Sequence, residues 1–199
     1  MTNKDLFLYI KNIKIWISRG LDVQYTIQTI DEEKKIYLIF QETRSSFDWT
    51  INFLFPAKVY KKYFIHRGYI KAWKSAKELI QDFVRKTEET GYSPVICGWS
   101  YGGAMAVLAA EEYNYQTGKK AEVITYGAPK ILYFKHTKKA FSNCGIFRQY
   151  ANINDIVTWC IPFPFVHHVN KIECPEFFNL RLLLHPEISH CNYDEMLLD

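Results

Sequence analysis

Nowhere does the chain hold an uninterrupted apolar run long enough to span a bilayer, and the apolar pattern of its first twenty residues is broken by Lys4, Asp5, Lys11 and Lys14. The first absence argues against a membrane-spanning helix and the second against a secretory signal, so the expectation is a protein made and folded in the cytoplasm. Its five cysteines, Cys97, Cys144, Cys160, Cys174 and Cys191, are an odd set with no C-x-x-C spacing. That argues against a zinc site and against a full disulfide framework, and leaves reduced, buried thiols as the simplest state. A dominant charge of one sign is missing too: the net +4 comes from lysines and arginines interleaved with acids, in clusters as short as Lys61-Lys62, Lys119-Lys120 and Lys138-Lys139. Without a basic stripe set among stacking aromatics, no nucleic-acid partner is expected. A mildly cationic face still suits anionic lipid headgroups, so transient contact with a membrane surface stays open. Repeats and disorder-prone stretches are lacking as well, and nothing in the sequence speaks to oligomeric state.

What is present is one domain's worth of chain, residues 1–199, with 48% hydrophobic and 17% aromatic residues, ample for a core of its own. Its organising stretch is Val95-Ile96-Cys97-Gly98-Trp99-Ser100-Tyr101-Gly102-Gly103-Ala104. A buried strand runs into a serine flanked at two-residue spacing by glycines, and an alanine-rich helix follows, which is the pattern of a nucleophile elbow. Gly98 and Gly102 stand where a side chain would collide with a neighbouring strand or helix. The tight turn presents the Ser100 hydroxyl beside the first backbone N–H groups of the helix, whose dipole favours a developing negative charge. The alternative is a helix packed closely through Gly102, Gly103 and Ala104, with an incidental serine.

Around the elbow the chain alternates strands and helices. Leu6, Tyr9, Ile10, Ile13, Trp16 and Ile17 recur at helical spacing up to Gly20, which predicts an N-terminal amphipathic helix packed on a sheet or, alternatively, lying on a lipid interface. Val23, Tyr25 and Ile27 alternate with polar residues, a polar turn follows over residues 31–34, and residues 35–41 are more apolar, the pattern of an antiparallel hairpin. Residues 49–65 are aromatic-rich and fit no single period. Ile70, Trp73, Ala76, Ile80 and Phe83 predict a helix ended by Gly91 and Pro94, and residues 101–118 a second one after the elbow. Strands follow over residues 121–126 and 146–152, the latter delivering Asn154-Asp155-Ile156-Val157 at its end. The fold class expected is α/β, with a mainly parallel central sheet covered on both faces.

A serine hydroxyl is a poor nucleophile near neutral pH, so an elbow needs a histidine to take its proton and a carboxylate to hold that histidine's tautomer. The order expected for such a fold is Ser, then Asp or Glu, then His. Asp155, after a strand in the half beyond Ser100, is the best-placed carboxylate; the alternative is a turn aspartate capping its own backbone. Position ranks His190 first among the later histidines, with His167, His168 and His185 as alternatives and His66 upstream of the serine.

Taken together the pieces resemble the class 3 lipase family, α/β-hydrolases that include the fungal triacylglycerol lipases, over roughly residues 37–193. They are Ile39-Phe40-Gln41-Glu42-Thr43 with Asp48-Trp49, His66-Arg67-Gly68-Tyr69, the elbow, Thr125-Tyr126-Gly127-Ala128-Pro129, Asn152-Ile153-Asn154-Asp155-Ile156-Val157, Val166-His167-His168 and His190-Cys191-Asn192-Tyr193. The resemblance implies the α/β-hydrolase fold, hydrolysis of lipid carboxylic esters (lipase or esterase, phospholipase A1 included), and a Ser100, Asp155, His190 triad, because the family's terminal histidine commonly stands three residues before a tyrosine. It also implies an oxyanion hole from Thr43 and the Tyr101 N–H, a supporting or structural place for His66, and no metal or organic cofactor. Trp99, Tyr101, Trp159, Phe163 and Phe165 are candidates for an apolar acyl pocket, with plain core packing as the alternative.

Two departures stand out. Where the family's oxyanion strand usually ends in Arg-Gly before Ser or Thr, this chain has Gln41-Glu42. An ionised Glu42 aimed into the hole would oppose the oxyanion on the scale of a lost donor, about 2.7 to 4 kcal/mol, whereas Glu42 turned to solvent or paired with Arg44 would not. The lid region, residues 45–58, is short and rich in Phe47, Trp49, Phe53 and Phe55. The first departure keeps in view a lipase-like lipid-binding or interaction module without turnover; an acyltransferase using the same three residues, with an alcohol in place of water, is a second alternative.

Overall fold

Alternation between two faces decides the architecture. In the computed structural model, which describes residues 1–21, 23–41, 57–60, 63–133, 145–159, 161, 163–167, 171–173 and 186–197, strand β3 (Lys35–Phe40) sends Ile36, Leu38 and Phe40 into one apolar cluster and Tyr37 and Ile39 into another. Strand β6 (Ser93–Trp99) does the same, Ile96 to one side and Val95, Cys97 and Trp99 to the other. A period of two with both sets apolar is what a sheet buried on both faces requires.

The main sheet has seven described strands. β1 (Ile17–Arg19) pairs antiparallel with β2 (Val23–Ile30), β2 antiparallel with β3, and then β3, β6, β7 (Glu122–Tyr126), β9 (Phe147–Ala151) and β11 (Lys171–Glu173) run parallel. The β2–β3 hairpin turns through a 3₁₀ turn at Asp31–Glu33, with Lys34 left-handed at φ +49°. The mainly parallel sheet, the hairpin and the helices on both faces match the sequence expectation.

Helices α2 (Arg67–Ala76), α3 (Leu79–Thr90) and α4 (Tyr101–Thr117) cover one face through Trp73, Ile80, Phe83, Met105 and Leu108. Helix α1 (Asn3–Asn12), capped by a reciprocal Thr2–Asp5 box, and α5 (Tyr193–Met196) with its C-cap Leu197 cover the other through Phe7, Ile10, Tyr193 and Leu197. Burial pushes the Cys97 thiol on that face well above its ordinary range, so it packs as a neutral, apolar group.

Two expectations need correction. The N-terminal helix stops at Asn12, and Ile13 is already extended at ψ 125°. Ile13, Ile15 and Ile17 are β-branched and alternate with Lys14 and Trp16, so the same residues satisfy a strand period, and Ile17 joins edge strand β1 instead. The helix expected before Gly91 is two helices, parted at Lys77 and Glu78, although all five of its marker residues are buried as expected. Within or bordering residues 49–65, which the pattern left unassigned, β4 (Ala57–Tyr60) and β5 (Tyr63–His66) pair antiparallel in a second sheet with β8 (Leu132–Tyr133) and β10 (Phe165–Val166).

Candidate active site

Register brings the ends of the parallel strands together. Phe40 lies beside Gly98, Trp99 beside Tyr126 and Tyr126 beside Tyr150, so the chain leaves β3, β6, β7 and β9 along one edge. In an open parallel sheet that carboxyl edge is where sites are built.

Ser100 occupies the bend between β6 and α4, half-buried, at φ +57° and ψ −127°. A non-glycine residue held there is under backbone strain, and it persists because its surroundings fix it. The Ser100 N–H donates to the Tyr126 carbonyl at 2.8 Å, and its own carbonyl accepts from the Gly103 N–H at 2.9 Å. Contact distances explain the flanking glycines: a Cβ on Gly98 would lie 2.2 Å from the Gly102 carbonyl oxygen, and one on Gly102 2.4 Å from that of Phe40.

Asp155 follows β9 and is fully buried. Its Oδ1 accepts from the Val157 N–H at 2.9 Å, the self-capping that the sequence offered as an alternative role. Its Oδ2 meanwhile lies 2.6 Å from His190 Nδ1 and accepts from the Tyr193 hydroxyl at 2.9 Å. One oxygen serves the turn and the other the histidine. Since a carboxylate only accepts, His190 Nδ1 holds the hydrogen and Nε2 is left with a lone pair able to accept a proton.

His190 itself is anchored from behind. The Trp99 indole N–H donates to its carbonyl at 3.1 Å, and the two rings lie 5.6 Å apart. Gly127, left-handed at φ +56°, sits against the pair: a Cβ there would lie 2.8 Å from Asp155 Oδ2, 3.0 Å from the Tyr193 hydroxyl and 3.1 Å from His190 Cε1. Ser100 is bonded to Tyr126, the residue just before Gly127, so the serine backbone and the His190–Asp155 pair meet the same strand end.

Three supports went unassigned in the sequence. Tyr193 bridges Asp155 and the Asn152 N–H, from which its hydroxyl accepts at 2.9 Å, while the Asn152 amide donates to the Ser189 carbonyl at 2.6 Å. Tyr193, Asn152 and Gly127 all lie within the quoted segments, but sequence adjacency does not say that they converge. His66 is fully buried and packs on Tyr69 and Phe165.

The proposed acyl-pocket aromatics divide. Trp99, Tyr101 and Phe165 are buried packing residues, whereas Trp159 and Phe163 are exposed at 45% and 73%, with the Lys130 ammonium 4.9 Å over the Trp159 ring. Thr43, Glu42, Arg44, His168, His185 and most of the lid region lie outside the described residues. Tyr101 opens helix α4, where the first N–H groups have no intrahelical acceptor.

A kinked serine between a parallel strand and a helix, with a histidine–carboxylate pair on later loops at the same sheet edge, defines an α/β-hydrolase fold. The chain belongs to the lipase (class 3) family, whose model matches residues 37–164. It is similar to the lipase of Rhizomucor miehei, with 27% identity over 174 residues, 79% of this chain and 47% of that protein. It is also similar to secreted mono- and diacylglycerol lipase 1 of Fusarium solani, with 28% identity over 110 residues, 53% of this chain and 33% of that protein. The solved structure of the Rhizomucor miehei lipase propeptide complex matches with a TM-score of 0.73 at 23% identity, covering 82% of this chain and 57% of that one, a likeness of fold. The chain thus spans less than half the length of either curated relative. Among the described residues, no helix is long and apolar enough to cross a membrane.

Proposed function

We propose that this protein hydrolyses carboxylic esters of lipids through an acyl-enzyme on Ser100. The observation that carries this reading is the buried 2.6 Å contact of His190 Nδ1 with Asp155 Oδ2, set at the sheet edge where the elbow holds Ser100. His190 Nε2 takes the serine proton as the hydroxyl attacks the ester carbonyl. Asp155 stabilises the imidazolium without itself taking a proton. The Tyr101 N–H, with Thr43 as its expected partner, stabilises the tetrahedral oxyanion. The proton then passes from His190 to the departing alcohol, and water repeats the cycle to release the acid. Family membership, and a relative named for mono- and diacylglycerols, support acylglycerols as the substrate class.

The test is ester hydrolysis across an acyl chain-length series, with phospholipids as a separate arm, comparing wild type with Ser100→Ala and His190→Ala. Each variant is expected to lose at least about a thousandfold in kcat, the usual scale for removing one member of such a unit. Folded protein should also take a fluorophosphonate label on Ser100. Failure to label, with no turnover of any ester, would instead support the lipid-binding module.

A further inference from the structure

The strand that leads into Asp155 and the turn that leaves it are tied together by a second histidine. His167 Nε2 lies 2.7 Å from the Thr158 carbonyl oxygen, and its Nδ1 lies 2.9 Å from Gln149 Nε2. A carbonyl oxygen only accepts, so Nε2 holds the hydrogen, and Nδ1 of the neutral ring accepts from the Gln149 amide. The two partners thus select one tautomer of the neutral ring. Gln149 belongs to β9 and is 1% exposed, a fixed point in the sheet.

Thr158 closes the 3₁₀ turn Ile156–Thr158, which is built on Asp155: its N–H and hydroxyl both donate to the Asp155 carbonyl, at 3.1 and 2.8 Å. The Val157 N–H of the same turn is the donor on Asp155 Oδ1. Ile156 and Trp159 are exposed, so apolar burial of those side chains does little to hold the turn in place. Hydrogen bonds contribute to its position, and the His167 side chain links it to the sheet through one of them.

We propose that His167 is a positioning residue for the Asp155 carboxylate. By fixing Thr158 against β9, it places the Val157 N–H on Oδ1 and so sets the angle at which Oδ2 meets His190. This rests on the ester-hydrolase reading above, in which the Asp155–His190 geometry matters to rate.

The test uses the full chain and a soluble short-chain p-nitrophenyl ester. His167→Gln keeps an amide donor for Thr158 and an acceptor for Gln149, whereas His167→Met has similar length and no donor. The Met variant is expected to lose about tenfold to a hundredfold in kcat with KM within about twofold of wild type, and the Gln variant to recover most of the loss. The far-downfield proton resonance of His190 Nδ1–H should move in the Met variant and stay in the Gln variant. A folded Met variant with wild-type kcat and an unmoved resonance would overturn the proposal, as would Gln and Met variants equally impaired. Should the Met variant fail to fold, Gln149→Leu, which removes the support and keeps the ring, must show the same loss confined to kcat; wild-type kcat there overturns the proposal too. Ser100→Ala separates the two levels: turnover that survives it sinks the hydrolase reading, whereas an inactive Ser100→Ala beside an unimpaired Met variant sinks only the role of His167.

Discussion

Tyr193 shows how much a single hydroxyl can do when it is buried between two groups that both need it. It donates to Asp155 Oδ2 and accepts from the Asn152 N–H, and its ring packs under the site against Phe7 and Tyr126. Tyr193→Phe keeps the ring and removes both bonds, leaving a buried N–H unpaired, at about 1–3 kcal/mol. The expected result is a lowered denaturation midpoint with kcat reduced and KM little changed; a variant with wild-type stability would show that water replaces the hydroxyl. At this scale the sequence was most legible where chemistry restricts the residue type. Ser100 stood out through its glycines and Asp155 through its place after a strand, whereas His190 was set apart from the other late histidines mainly by the family resemblance. Tyr193 was quoted only as a spacing marker, because the contact that gives it meaning joins residues 38 positions apart. The exposure of Trp159 and Phe163 was not legible, because side-chain direction there depends on how the chain turns after Asp155, which the local pattern does not specify.

Among the elements, helix α4 positions the serine because it can approach the sheet so closely. Nearly every residue of its first three turns is buried, and Gly102 comes within reach of two backbone groups at the end of β3, a Cβ there lying 2.4 Å from the Phe40 oxygen and 2.5 Å from the Gln41 oxygen. Backbone on both sides leaves no flexible side chain to yield. Gly102→Ala should therefore cost about 3 kcal/mol or more by forcing helix and sheet apart, while Gly118→Ala, at φ +69° with nothing within 4 Å of its Cβ, should cost only about 1 kcal/mol of backbone strain. Chemical denaturation of the pair measures the difference, and equal losses would mean that α4 has room to shift. The same contrast explains which elements could be read in advance. Helix α4 is bounded by a glycine-flanked serine and by Gly118, and its limits were legible; α1 runs into a β-branched stretch that suits either period. There pairing of Ile17 with Tyr25 at the sheet edge, a tertiary fact, ended the helix.

For the whole molecule, one sheet divides two cores that differ in their relation to the site. On the α3 side Phe83 packs against Tyr113, within a cluster that supports the sheet generally. On the α1 side Phe7 lies 5.5 Å from Trp99, 5.0 Å from Tyr126 and 5.7 Å from Tyr193, ring centre to ring centre. Trp99 anchors the His190 carbonyl and Tyr193 anchors Asp155, so Phe7 buttresses both partners of the histidine–carboxylate pair from below. Phe7→Ala and Phe83→Ala should destabilise similarly, by about 3–5 kcal/mol each, since both open cavities at fully buried sites. Activity per folded molecule should separate them. Loss of Phe7 frees Trp99 and Tyr193 to relax toward the void and is expected to cost about tenfold in kcat, through small displacements at the reacting groups, whereas Phe83→Ala leaves the folded fraction at wild-type kcat. Thermal denaturation with single-turnover rates on the same preparations decides it. If both variants keep wild-type kcat per folded molecule, the N-terminal helix serves the fold alone, and the geometry of the pair is held by its hydrogen bonds without help from the layer beneath.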